Sequence, residues 1–210
     1  ADLLERDGID RSMAAHAARA AQGHVGRARA LATDDEARRH RHEILRIPLQ
    51  LNDLPACFAV AADISSAATE DANRTTSTLD DRERADLLTA YGEGATGVTK
   101  ARIERLARGA IKELEARQKS RRTRAVRDRL DRSLVDLLSF YRDVLMLQLD
   151  TELDLINEEL RAQLMQVAAA STPARTRTRM DAIERARRLF DSNAQPQLVL
   201  EALAVELARA

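Results

Sequence analysis

The chain has 210 residues, with 34 basic and 34 acidic side chains and no net formal charge. That balance excludes a uniformly basic nucleic-acid coat and an acidic tail protein as descriptions of the whole chain. Apolar residues make up 44%, charged residues 32% and aromatic residues only 2%, with seven glycines and four prolines, so turn and strand formers are too few for a β-sandwich or barrel and an all-α fold is expected.

The chain opens with Ala1 and no initiator methionine, inside a helical pattern, so a preceding portion is expected. That first helix stops at Asp7-Gly8, and Asp10 caps a second, alanine-rich helix reaching Gln22, with Gly23 placed to end it. A third helix follows Val25. Thr33-Asp34-Asp35-Glu36 reads as a capping box for a fourth, which ends near Ile47 because Pro48 disfavours helical geometry before it. Asn52 or Asp53 caps the next helix, whose stripe is Cys57, Phe58, Val60, Ala61 and Ile64. Residues 69–77 are polar and read as frayed or looped, 80–90 as a short charged helix, and 91–97 as a glycine-dense loop. From Thr99 the pattern is helical to Ala170 with room for one break. Leu134, Leu138, Tyr141, Leu145, Leu149, Leu153, Ile156, Leu160, Leu164 and Val167 recur at helical spacing along it. Thr172-Pro173 opens a helix to Asp191, and Pro196 starts a last one carrying Leu198, Val199, Leu203 and Leu207.

Few residues offer chemistry. Gly92-Glu93-Gly94-Ala95-Thr96-Gly97 matches GxGxxG, but a helical pattern precedes it where a dinucleotide fold needs a strand. Val98 stands where a phosphate loop needs lysine, so a plain loop is the favoured reading. His16, His24, His40 and His42 lack metal-ligand spacing and read as surface or capping residues; no metal or cofactor is expected. Lone Cys57 excludes an internal disulfide and a multi-cysteine zinc site, and it suits a reducing, cytoplasmic setting. No apolar run is long enough to span a membrane, the longest being 56–62. Basic clusters at 117–129 and 175–188 oppose an acidic stretch at 143–159. Complementary charge between packed helices or subunits is favoured over phosphate binding.

Residues 18–31, ARAAQGHVGRARAL, resemble the helical lid segment of clamp-loader AAA+ subunits. Active members of that family carry an arginine three residues after the glycine at 23; here Gly26 stands there, with Arg27 and Arg29 nearby. That departure is similar to the non-hydrolysing δ′-type subunits of bacterial DNA polymerase III. Residues 115–124, 128–145 and 189–201 are similar to the collar domain of the actinobacterial type. The resemblance implies a lid segment (1–47) followed by a helical-bundle collar (48–210), without the family's nucleotide-fold domain or zinc module. It implies a non-catalytic role, with no ATPase residues in this chain. The partners it implies are the δ and τ/γ subunits directly, and the sliding clamp and primed DNA through the assembly. Arg179, Arg187, Phe190, Leu198, Leu200 and Leu203 are the candidate interface residues. The alternative is an all-α nucleic-acid-binding regulator using the run 117–129.

Overall fold

The computed structural model describes residues 1–92, 99–192 and 194–209, without the side chain of Lys100. The fold is all-α, with no strand among the described residues. Its helices are α1 (Asp2–Arg6), α2 (Arg11–Ala21), α3 (Val25–Thr33), α4 (Asp35–Arg46), α5 (Leu54–Ala90), α6 (Lys100–Gln148), α7 (Arg161–Ala169), α8 (Pro173–Asp191) and α9 (Pro196–Arg209). Short 3₁₀ turns, Ile47–Leu49 and Glu158–Leu160, precede α5 and α7. The chain divides into two compact units, one formed by residues 1–64 with 131–210 and the other by residues 65–130. The expected lid–collar boundary at Pro48 falls inside the first of these.

In the first unit, helices α1 to α3 pack through small side chains. Leu4, Ala14, Ala17, Ala20, Ala21, Ala28, Leu31 and Ala32 form one buried cluster, edged by Ile9, Met13 and Ala37. Each buried methyl contributes only about 0.8 kcal/mol, so these short helices depend on their caps as well. Asp10 accepts from the amides of Ser12 at 2.9 Å and Met13 at 3.2 Å. The His24 ring Nδ1 accepts from the Arg27 amide at 3.1 Å. The expected box at 33–36 is corrected: Asp34, not Thr33, caps α4 by accepting from the Glu36 amide at 2.8 Å, and the Thr33 hydroxyl donates to the Arg29 carbonyl. At the end of α2 the first left-handed residue is Gln22 (φ 47°), and Gly23 follows it at φ 90°. The remaining core of the unit is larger and apolar, built on Leu134, Leu137, Phe140, Tyr141 and Val144 of α6 with Leu164, Ile183, Phe190, Leu200 and Leu203.

The expected helix from 99 to 170 breaks after Gln148. Asp150 takes a left-handed conformation (φ 49°), and the segment that follows turns back to the buried carboxylate of Asp143. That carboxylate accepts from the amides of Ile156 at 3.1 Å and Asn157 at 2.7 Å. Leu149 and Leu153 therefore leave the expected stripe and are exposed, and Leu155 is buried instead.

The second unit pairs residues 65–90 of α5 with 99–130 of α6. The polar stretch 69–77 is helical, contrary to the looped reading, and continuous with 80–90. Ala68, Ala72, Thr76 and Asp80 are buried at four-residue intervals, and Ile103, Ala107 and Leu114 follow at spacings of four and seven. Small residues at helical spacing let two backbones approach closely, which a search for large apolar residues does not register. Asp71 meets Arg129, Asp80 meets Arg121 and Arg122, and Arg84 meets Glu115, so the two segments run antiparallel.

Candidate interaction surfaces

Gly26 lies in the first turn of α3. A Cβ there would meet the His24 ring at 3.4 Å, an ordinary contact, so no close approach demands glycine. The adjacent arginines are both engaged. The Arg27 guanidinium donates to the Asp136 carboxylate on α6, and both side chains are nearly buried. Arg29 reaches Asp7 at 2.9 Å at the surface.

Asp136 belongs to a buried polar centre that no sequence motif announced. Arg41 of α4 stands 3.1 Å from the same carboxylate and donates to Asn157 Oδ1 at 2.5 Å and to Glu159 at 3.3 Å. Asn157 in turn donates from Nδ2 to Asp143 at 2.8 Å and to the Ser139 hydroxyl at 3.2 Å. Arg142 donates to Asp143 at 2.7 Å. Burial pushes the Asp136 carboxyl up, while Arg27 and Arg41 pull it down. Buried charges of this kind persist only when paired and hydrogen-bonded, so the centre locks α3, α4, α6 and the 154–159 segment together. The acidic stretch 143–159 was visible in the sequence. That Asp143 folds its own chain back required the structure.

Among the histidines, His24 is a cap and His42 is exposed. His40 Nε2 lies 3.0 Å from the Ser133 hydroxyl. His16 lies 3.8 Å from Glu159, and burial holds its pKa below the usual value. No cluster of three or more metal-ligating side chains occurs among the described residues. The GxGxxG stretch lies outside the described residues, apart from Gly92.

The candidate interface residues separate into two groups. Phe190, Leu200 and Leu203 are buried in the chain's own core, packed where α8 and α9 meet. Leu198 is 59% exposed, and Leu189 at the end of α8 is 47% exposed. Arg187 makes a two-pronged pair with Asp131, at 2.7 and 3.2 Å, which raises its pKa. Arg179 stacks over the Tyr141 ring at 5.7 Å, donates to the Leu207 carbonyl at 3.2 Å and to the Ser171 hydroxyl at 2.9 Å. It lines an open cleft of about 310 Å³ together with Pro48, Asn52, Tyr141, Gln166 and Ser171. Elsewhere in this unit, Leu54 and Phe58, one turn apart on α5, are both about half exposed, a second apolar spot on a charged surface.

In the 117–129 run, Arg121 bonds Asp80 at 2.6 Å and Glu83 at 2.5 Å, which raises its pKa and lowers that of Glu83. Arg122 reaches Asp80 at 3.3 Å and Arg129 reaches Asp71 at 3.5 Å. Arg121, Arg122 and Arg129 are thus neutralised by acids of α5 and not by the expected 143–159 stretch, whose Asp143, Glu158 and Glu159 meet Arg142, Arg161 and Arg41. No helix among the described residues is long and apolar enough to cross a membrane. Compared with protein-family models, with curated proteins and with solved structures, the chain matches none.

Proposed function

We propose that this chain is a non-catalytic subunit segment of a clamp loader, a lid remnant (1–47) and a collar (48–210) that joins δ and τ/γ subunits in the cytoplasm. In that reading the assembly brings it to the sliding clamp and primed DNA. The reading rests on the resemblance of residues 18–31, 115–124, 128–145 and 189–201 to the δ′ type. The observation that carries it further is the fate of the arginines beside Gly26. Arg27 is committed to the nearly buried Asp136 and does not stand free for a nucleotide phosphate, while Arg29 makes only an exposed pair with Asp7. What the first unit offers a partner is a rigid helical surface carrying isolated exposed leucines, Leu189 and Leu198 among them. A partner gains by removing exposed apolar surface from water, which Leu189 and Leu198 offer and the buried Leu200 does not.

Two measurements test it. Calorimetry with ATP should show no binding; micromolar binding lost on Arg27→Ala or Arg29→Ala would overturn the lid reading. Co-purification with δ and τ/γ should succeed for the parent chain and fail for Leu198→Glu with Leu189→Glu, while circular dichroism remains helical. Normal stoichiometry in the double variant would remove this surface from the assembly. The alternative reading, a nucleic-acid-binding regulator using the 117–129 run as a unit, is weakened by the pairing of Arg121, Arg122 and Arg129.

A further inference from the structure

Charge is unevenly divided within the helical pair of the second unit. Residues 65–90 carry six acids and three bases, whereas 99–130 carry four acids and twelve bases. The acids of α5 neutralise α6 cations that lie along the contact, Arg121, Arg122 and Arg129 among them. Another set lies on the far side. At about 100° per residue, Arg105, Arg108, Lys112 and Lys119 fall within about 60° of arc, centred opposite the buried Ile103, Ala107 and Leu114. All four are exposed and none bonds to a described acid. Two acids border them. Glu104 stands four residues before Arg108, and Glu115 lies between Lys112 and Lys119 but is bonded to Arg84 at 3.1 Å. Beside the cations the helix carries the small residues Gly109 and Ala116, which leave the charged heads accessible.

We propose that this stripe is a binding surface for the phosphate backbone of duplex DNA. At about 1.5 Å per residue, Arg105 to Lys119 spans about 21 Å of one helix, a length over which a duplex presents many phosphates. Four cations held on one rigid helix displace condensed counterions without first being ordered, so contact is sequence-independent and salt-sensitive. The stripe has no aromatic side chain on which unpaired bases would stack, which selects duplex over single strand. An anionic membrane is disfavoured because the apolar side of α6 is buried against α5 and cannot enter the headgroup layer. The proposal stands on the stripe alone, whether or not the chain belongs to a clamp loader.

The test uses the full chain and a fluorescent duplex of about 20 base pairs, read by anisotropy from about 50 to 200 mM salt. The quadruple variant Arg105→Gln, Arg108→Gln, Lys112→Gln, Lys119→Gln removes only exposed groups and should stay helical by circular dichroism. It should lose at least about tenfold in affinity at low salt, and its log–log salt slope should flatten by about 3 to 4. A control replacing exposed Arg6, Arg11, Arg39 and Arg177 by glutamine removes the same charge from the first unit and should bind like the parent. The proposal is overturned if the parent does not bind the duplex, if the control loses as much as the stripe variant, or if single-stranded DNA or phosphatidylserine vesicles bind more tightly than the duplex.

Discussion

Asp136 shows how one carboxylate can decide the placement of several helices. It is buried against the guanidiniums of Arg27 and Arg41, and removing it leaves Arg27 without its anion and Arg41 with Glu159 alone. Breaking a buried pair from one side costs about 3–5 kcal/mol, so Asp136→Asn should lower the midpoint of urea unfolding sharply. Asp7→Asn, which removes the exposed partner of Arg29, should cost less than about 1 kcal/mol in the same measurement. Tyr141 gives a pH signature. Burial pushes its hydroxyl up to about 12, whereas an unfolded tyrosine ionises near 10. Between those values the unfolded chain has lost the proton and the folded chain keeps it, so stability is intact below about pH 10 and falls as pH rises towards about 12. Ultraviolet titration of the folded protein should show one tyrosine ionising late, and Tyr141→Phe should remove both that late step and its share of the alkaline loss.

At the scale of elements, the helix termini were the most legible part of the sequence. Asp10 and Thr172 each accept an amide where a helix start was expected, and Pro173 and Pro196 occupy first-turn positions, whereas Asp34 and not Thr33 caps α4 and the His24 cap of α3 was not assigned. What failed was inference from polarity. Residues 69–77 lack large apolar side chains, yet they form unbroken helix because Ala68, Ala72 and Thr76 pack against α6. Propensity and hydropathy see neither a small-residue contact nor the partner that makes it. Likewise the leucine spacing of 134–167 ran through Leu149 and Leu153, since a one-dimensional period cannot see Asp143 reclaiming the chain at 156–157. Limited trypsin treatment should consequently leave Arg74 among the late sites, not the first ones. Ala72→Leu, placed in that close contact, should destabilise by about 1–3 kcal/mol through overpacking.

For the molecule as a whole, the candidate interface was only partly legible. The C-terminal apolar residues outnumber one narrow stripe, which correctly signals that some leave the core but not which ones. Burial supplies that: Leu200 is 1% exposed and Leu198 is 59% exposed. Leu200→Glu should therefore unfold the chain, by placing a charge in a packed core, whereas Leu198→Glu should leave its thermal transition within about 0.5 kcal/mol of the parent. Calorimetry or circular dichroism melts of the two single variants separate a core position from a surface one directly.

Within the second unit the paired segments of α5 and α6 share one register, and this constrains how the gene can vary in length. Deleting a single residue inside either segment would rotate the rest of that segment by about 100° against its partner and put part of the set Ala68, Ala72 and Thr76, or Ile103, Ala107 and Leu114, on the wrong side. Removing seven residues from each helix at facing positions rotates the remainder by only about 20°, since two turns are close to seven residues. Facing segments such as 73–79 and 122–128 could thus be excised together, with the salt-bridged register above and below them preserved. Size variants of this protein should accordingly differ by paired blocks near that length in the 65–130 region, and unpaired or off-phase insertions there should be selected against.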